Sequence, residues 1–595
     1  METEIRAEIL NTYVNAMDVS NEKLVTDCIS MCQTYSMSAE DLLWKLEAIN
    51  FKPSATYSEI SPITKETIAI LRTQLQRDLS SKVQVKPRQN ANAMVNRFQM
   101  PPNMRRGMNV GMSTASPART PSVKTEQVED SIAYTSSSVV FKGPKSDAQS
   151  KKRRAYRYMY EKISERSEAL DQVIDEFVEL IRKHYDISDL GDPSLPTDKE
   201  ITIVGRIVHD AELVFTSKLT EAALAIESSR MLSSGARIPL RLDVLLRMRG
   251  NAPGAGGFGL FPGAIVALRG KNGGGGYFLA TEILAMPPLK ASPTAQGTIP
   301  PKLDAGMGDS PISICVACGP FTPDADLEYK PWRALIKSLK TTKPKVLVLI
   351  GPFVDVAHPK IKAGDVRFPP VQMFKLHFLT PLKSFFDASP GSIVLIVPSV
   401  RDVISAHAVF PQPELEAELV GSDPRIHLLP NPSLFSINDI TFGTTSVDTI
   451  FHLRKEEYIK RCGEIAPLAA DSGDVDAMAN SCRHLLQQRS FYPVFPVPLD
   501  LAHEVNLDVS HLEGLRLGGD DEGQGEEEAP DVLLLPSRLK QFVKNVHTTT
   551  AVNPSFLTKG TYAVLNIAPR STPGGLKERL KVEIVKIEEQ PPVQA

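Results

Sequence analysis

Three continuous apolar runs organise the chain: 312–318 (ISICVAC), 345–355 (KVLVLIGPFVD) and 393–398 (IVLIVP), each followed by Gly, Pro or Ser. A short apolar run closed in this way predicts a strand buried on both faces, as at the centre of α/β layers. Ligands of such sheets gather beyond the carboxyl ends of the strands. Three strand-then-loop units in succession therefore predict one sheet whose loops converge on one place. Downstream, DITFGTTSVDTIFHL (439–453), a helical stretch at 476–498 and PDVLLLPSRLKQFVKNV (530–546) continue the domain. The acidic run GGDDEGQGEEEAP (518–530) reads as an exposed, mobile insert. The alternating TYAVLNIAP and LKVEIVKIE near the end predict an antiparallel pair. Together 305–595 form one α/β domain.

Ahead of it, 195–290 changes to short β runs (ITIVGRIVHD, RIPLRLDVL, AIVALRG, YFLATEIL) parted by Gly-rich turns, which predicts a small barrel of the OB type. Its aromatic residues are few, so a stacking grip on single-stranded nucleic acid is not favoured. The stretch 151–190 predicts one connecting amphipathic helix, with Tyr156, Tyr160, Ile163, Leu170, Ile174, Phe177 and Ile181 at helical steps. Its first residues, Lys151, Lys152, Arg153 and Arg154, are a candidate nuclear localisation cluster or simply a charged helix start. Residues 80–150 lose periodicity and turn to Pro, Ser, Thr, Asn and Gln, which predicts a disordered linker. Over 82–154, 14 basic residues against 4 acidic ones give a net +10, suited to a solvated tether or a loose hold on nucleic acid. Ser116 and Thr120, each followed by proline, are candidate phosphorylation sites in that linker. Residues 1–79 predict a small all-helical docking module, from the spacing of Ile5, Ile9 and Tyr13, a capping box at 38–41, and Ile68, Leu71 and Leu75. Cys28 and Cys32 lack two further ligands nearby and read as core.

Composition narrows the function classes. With 595 residues and 42% hydrophobic content, the chain supports several packed domains. Six scattered cysteines make no disulfide framework. No run approaches the ~20 apolar residues of a membrane span, and the first residues hold no apolar signal segment, so a soluble intracellular protein without membrane contact is expected. Cys315 and Cys318 form a C-x-x-C inside a strand with no second pair, which favours buried apolar cysteines over a zinc or redox site. His358, His377, His407, His427, His452 and His484 are singly spaced and read as satisfied core or surface side chains.

The strand-end loops resemble those of calcineurin-like metallophosphoesterases, whose D-x-H, G-D-x-x-D, G-N-H-D/E, G-H and G-H-x-H loops hold two metals. Here Cys318-Gly319-Pro320 stands where D-x-H belongs. GPFVD (351–355) keeps Asp355 but has Pro352 in place of the bridging Asp. VPSVRD (397–402) keeps Asp402 but has Val400 and Arg401 where Asn and His belong. HTTTAVNP (547–554) has no H-x-H. Proline and valine side chains have no donor atom and a guanidinium cannot ligate a cation. The loops thus predict a phosphoesterase-like sandwich without a metal site, with no catalytic residue, metal or cofactor.

The motifs SSGARIPL (233–240), LFPG and ATEI (260–283), CGPF (318–321), LIGPFVD (349–355), VPSVRD (397–402), FGTTSVDTIFHL (442–453), HLLQQRSFYPVFP (484–496) and DVLLLPSRLKQFVKNV (531–546) make the chain similar to the B subunits of replicative DNA polymerases. The order of domains is the same. The T-S-x-D-x-x-F-H-L run and the basic linker point to those of the alpha–primase complex rather than delta or epsilon, while VNPS (552–555) departs from the family's VNPG. The resemblance implies a multidomain, non-catalytic scaffold in the nucleus that supports initiation of DNA replication. Its implied partners are the zinc-bearing C-terminal domain of the catalytic subunit of DNA polymerase alpha, the primase subunits of the same complex, other replication-fork proteins through the N-terminal domain, and DNA weakly or indirectly. The competing readings are a B subunit of polymerase epsilon or delta, a working metal-dependent phosphoesterase, and a single-strand-binding module.

Overall fold

In a computed structural model of the chain, the residues described are 139–587 apart from 145–147, 210–217, 255, 275, 298–309, 468–472, 519–526, 571 and 573–574, with parts of the stretch between 22 and 72. The chain divides into two compact units, 1–127 and 128–595. In the first, the helix Glu22–Tyr35 buries Leu24, Val25, Cys28, Ile29 and Cys32 in a small core with Leu42, Leu46, Ile68 and Leu71. Burial pushes the Cys28 thiol up to about 12, as a core cysteine requires. The stripe of Ile5, Ile9 and Tyr13, the capping box at 38–41, Leu75, Ser116 and Thr120 lie outside the described residues.

The strands of the second unit, numbered along the chain, begin with β1 (Phe141–Lys142), β2 (Thr197–His209), β3 (Leu224–Glu227), β4 (Arg237–Arg249), β5 (Gly257–Leu260), β6 (Ile265–Asn272) and β7 (Phe278–Leu284). They continue with β8 (Ile312–Cys318), β9 (Val346–Ile350), β10 (Ile393–Val397), β11 (Ile426–Leu428), β12 (Ser433–Ile437), β13 (Ile440–Thr444), β14 (Tyr458–Arg461) and β15 (Gly463–Ile465). The last are β16 (Val532–Leu534), β17 (Phe542–Val546), β18 (Thr549–Asn553), β19 (Thr561–Ile567) and β20 (Leu580–Lys586).

The barrel expected over 195–290 is present. β2 pairs with β3 and β6, β3 with β4, and β6 with β7, all antiparallel, and β4 closes onto β7 in parallel. Alternation along β2 sends Ile203 and Ile207 into the core with Leu240, Phe278 and Ile283. It sends Val204 to the opposite face, where Ile265, Ala267 and Leu284 receive Ile174, Phe177, Val178 and Ile181 of the helix Ile163–Tyr185.

That helix corrects the expectation of one helix over 151–190. A short helix, Ala148–Arg153, ends early, and the chain runs irregularly to Lys162 before helix resumes. Tyr156 and Met159 take left-handed backbone (φ 35° and 67°), which a right-handed helix cannot contain. Tyr156 turns inward beside His511, while Met159, Tyr160 and Ile163 are exposed. The helical spacing of the tyrosines was coincidence. The linker expected to reach 150 also ends sooner, because β1 pairs antiparallel with β12 through Phe141 and Ile437. A two-residue strand is too short to show a period.

The α/β region is a sandwich of two six-stranded sheets, ordered β11-β10-β9-β8-β19-β20 and β1-β12-β13-β16-β18-β17. The three runs that organise the sequence are β8, β9 and β10, parallel and adjacent as expected. Ile314, Val316, Val348 and Leu395 face the second sheet's Phe435, Phe442, Val532 and Val552. Cys315, Ala317, Leu347, Leu349 and Ile396 face helices carrying Trp332, Leu335, Phe378 and Phe385. Both faces are covered, which is why these strands read as unbroken apolar runs. β19 and β20 pair antiparallel, again as expected. Barrel and sandwich share one further core, in which Leu240, Phe261 and Phe278 pack in one cluster with Leu485, Leu486, Phe491 and Leu533. The α/β region also lends strands to the barrel side, β14 to β5 and β15 to β4. Among the described residues no helix is long and apolar enough to cross a membrane.

Candidate functional site

The loops leaving β8, β9 and β10 converge, as the sequence predicts. A Cβ on Gly319 would run into the backbone of Pro352, and one on Gly351 into Asp402 and Ser399. Glycine at both strand exits is what lets the three loops close on one another. Phe321 and Phe353, one from each of the first two loops, stack with centroids 5.4 Å apart under Phe378 and Trp332. The second and third loops zip together: Val356 N donates to Arg401 O (2.9 Å) and Val403 N to Val354 O (3.0 Å).

The two surviving acids are both fully engaged. Asp402 is buried and accepts from Phe353 N and Val354 N (3.0 Å) at Oδ1 and from Ser399 N (2.9 Å) at Oδ2. Burial pushes its carboxyl up to about 7 against the pull of those three donors. Asp355 accepts from Ala357 N (2.8 Å) and is gripped by Arg401, whose Nε donates to Oδ1 (3.0 Å) and Nη2 to Oδ2. Cys318 ends β8, fully buried, and Pro352 is buried with it, while Pro320 is half-buried. Val400 packs into the core shared with the barrel. Neutral amides fill the neighbouring strand ends. Gln412 donates to the carbonyls of Ser399 (3.2 Å) and His407 (2.7 Å), Asn431 donates to Ser446 (2.8 Å), and Asn553 accepts from Ser537 N (3.0 Å) and Ser555 N (2.8 Å).

This geometry supplies a cation from within the chain. Arg401, at the position compared above with a histidine, pairs through its guanidinium with the Asp355 carboxylate. The residue types of these loops are readable in the sequence, whereas the Asp355–Arg401 pair, the triple acceptance by Asp402 and the amide set are not. The one available signal was an Arg-Asp dipeptide ending one loop opposite an Asp ending the other.

Other sequence candidates fall into place. His358 donates from Nε2 to the carbonyls of Pro323 and Asp326 (3.0 and 3.2 Å) and accepts at Nδ1 from Lys360 N (3.2 Å). His377 stacks on Tyr329, His427 packs on Phe141, and His452 and His484 bond to Tyr492 and Glu457. His358, His452 and His484 are thus hydrogen-bonded, and His377 and His427 pack against rings. His407 departs from the expectation, since its Nε2 is buried with no partner. Cys315 and Cys318 are buried in β8, and burial raises both thiols well above their ordinary value. Lys151, Lys152 and Arg153 are exposed at a helix end, but Arg154 turns toward Glu414 (3.7 Å).

The T-S-x-D-x-x-F-H-L run has a structural account. Asp448 caps the helix Thr449–Glu456 by accepting from Phe451 N (3.2 Å) and also accepts from Arg538 N (2.8 Å) and Nε (3.2 Å). Arg538 lies over Phe451 (4.4 Å) and reaches Glu504, which also faces His452 (3.4 Å). With the bond of His452 to Tyr492, one network ties together the motifs at 442–453, 484–496 and 531–546.

A family model for the B subunit of DNA polymerases alpha and epsilon matches residues 314–544, and one for the OB domain of the DNA polymerase alpha B subunit matches 167–286. The chain is similar to the B subunit of DNA polymerase alpha of Schizosaccharomyces pombe, 33% identical over 425 residues, covering 70% of this chain and 68% of that one. The Saccharomyces cerevisiae protein of the same name is 30% identical over 463 residues (70% and 61%), and the Mus musculus protein 29% over 443 (73% and 66%). The match thus spans 61 to 68% of these relatives' own length.

Proposed function

Because the chain belongs to the family of DNA polymerase alpha B subunits, we propose that it is a non-catalytic scaffold subunit of the DNA polymerase alpha–primase complex, acting in the nucleus to support primer synthesis. The barrel and the phosphoesterase-like sandwich together hold the zinc-bearing C-terminal domain of the catalytic subunit, and the primase subunits join the same assembly. The N-terminal helical module meets other replication proteins, and DNA is touched weakly or indirectly. The observation that carries this reading is the grip of Arg401 on Asp355: the loops that would hold catalytic metals are closed by the chain's own cation. Exposed Val244 and Leu245, at the break in the pairing of β4 with β7, offer the barrel an apolar contact for such a partner. In the linker, Ser116 and Thr120 are the positions where phosphate would offset the basic charge.

The test co-expresses the full chain with the C-terminal domain of the catalytic subunit and measures co-purification and phosphodiesterase activity. Stable co-purification, weakened when Val244→Glu and Leu245→Glu are combined, is expected, with hydrolysis no faster than that of an Asp355→Ala variant. Failure to co-purify would overturn the scaffold. Metal-dependent hydrolysis abolished by Asp355→Ala would favour the phosphoesterase reading instead.

A further inference from the structure

Away from the strand-end loops, the irregular stretch 154–162 meets the turn around Asp508. There Glu161, Asp508 and His511 each offer one ligand atom, and the three atoms lie within 4.8 Å of one another. Asp508 is only 4% exposed. Its Oδ1 accepts from Ser510 N (3.0 Å) and Ser510 Oγ (2.5 Å), which fixes the plane of the carboxylate. Its Oδ2 is buried with no hydrogen-bond partner. A buried carboxylate oxygen left without a donor keeps its desolvation cost and is rare in a folded protein. His407, 9% exposed, is a second such case beside it. Its ring bonds to the Pro411 backbone while Nε2 is buried and unpartnered, and Tyr156 packs against both His407 (6.5 Å) and His511 (5.5 Å). A buried carboxylate oxygen without a donor, with a second carboxylate and an imidazole within reach, points to a cation that the chain's own donors do not replace.

The charge around His511 agrees. Its Nε2 donates to Arg157 O (2.9 Å) and lies 3.8 Å from Glu161, and its Nδ1 lies 3.5 Å from Glu513.

We propose that Glu161, Asp508 and His511 form a site for a divalent transition metal, zinc by its mixed imidazole and carboxylate donors, that pins the stretch 154–162 to the folded unit. Zinc binds imidazole nitrogen and carboxylate oxygen at about 2.0–2.2 Å, so its ligand atoms sit ~3–4 Å apart, a small contraction from the spacing found here. The ion gives Asp508 Oδ2 its missing partner. Its role is structural. Glu161 is the sole ligand from the stretch that leads into the helix Ile163–Tyr185, so the metal joins two parts of the chain otherwise held there by Tyr156 and by the His511–Arg157 bond.

The test uses the full chain, stripped with a chelator and titrated with zinc chloride at mildly alkaline pH. Bound zinc is measured after gel filtration, and tryptic cleavage at the exposed Arg157 is followed in parallel. Stoichiometric zinc that slows cleavage at Arg157 is expected in the wild type and in Asp355→Ala. Affinity should fall by roughly tenfold or more in Asp508→Asn and in Glu161→Gln. Glu161 is partly exposed, so Glu161→Gln should match the unfolding midpoint of zinc-free wild type, which separates lost binding from lost folding. No uptake at micromolar zinc, or uptake unchanged in Glu161→Gln, would overturn the site; the second result would assign the metal to cysteines elsewhere.

Discussion

With the guanidinium of Arg401 removed, Asp355, 8% exposed, keeps only Ala357 N as a partner. Leaving that carboxylate uncompensated costs about 1–3 kcal/mol, less than the roughly 3–5 kcal/mol of a fully buried broken pair because the Arg401 side chain is 24% exposed. Arg401→Ala is therefore expected to lower the unfolding free energy by that amount and the urea midpoint with it, and Arg401→Lys to recover only part of it, since an ammonium cannot make the two-pronged contact. An unchanged midpoint in Arg401→Ala would refute the idea that this cation holds the loops together. The donor atoms that these loops carry could be read in the sequence because donor atoms belong to residue types. The pair could not, since the two partners lie 46 positions apart and nothing local says which loop ends meet. Acid stability tests a second residue. Burial raises the Glu504 carboxyl, but the hydrogen bond with His452 and the charge of Arg538 outweigh it and hold it at about 2, below its ordinary 4.5. A carboxyl depressed by folding stabilises above its unfolded value and loses that contribution as pH falls through the folded one. Wild type should thus lose stability between about pH 4.5 and 2 through this group, and Glu504→Gln should show a shallower acid limb in urea melts taken across that window. Parallel limbs would mean that the network contributes nothing through charge.

Among the elements, β5 depends on having a glycine opposite its partner strand. Gly259 pairs with Ile459 of β14, and a Cβ there would run into Glu457 Oε1 and His484 Nε2, which bond to each other at 3.1 Å. Gly259→Ala must part that pair or the strands, at a cost of ~1–3 kcal/mol. Gly273→Ala, where an added Cβ meets nothing within 4 Å, should stay near neutral. Equal urea midpoints for the two variants would count against a tight β5–β14 contact. This pairing also marks the limit of what the sequence could reveal. β8, β9 and β10 were legible because a strand covered on both faces writes its burial into every residue. β14 and β15 were not, because they are short and their partners lie some 200 positions upstream, where no local period records the pairing. The stretch 154–162 failed in the opposite way. Tyr156 and Tyr160 carry a convincing helical spacing, yet one is anchored by His511 and the other is exposed, so the pattern had no common face to bury.

At the scale of the whole second unit, barrel and sandwich are joined by more than the chain that connects them. Gln488 brackets Ile265, accepting from its N (2.8 Å) and donating to its O (2.9 Å). Glu221 takes Tyr458 Oη (2.8 Å) and Lys460 Nζ (2.7 Å), and Phe495 N donates to Pro262 O (2.9 Å). Gly263, at φ 97°, lies so close to Pro493 and Phe495 that a Cβ would strike their backbone. Beneath these contacts lies the shared core of Leu240, Phe261 and Phe278 with Leu485 and Phe491. Burying such side chains contributes about 1.5–3 kcal/mol each relative to exposure, so even a few outweigh the entropy of freeing one cut chain end. A protease site inserted within 298–309 should therefore be cleavable without parting the halves: after cutting, both fragments should co-elute in gel filtration and melt in one transition. A partner would then meet barrel and sandwich as one rigid surface. Fragments that separate in native buffer, or melt in two steps, would show that the covalent joint and not the shared core keeps them together.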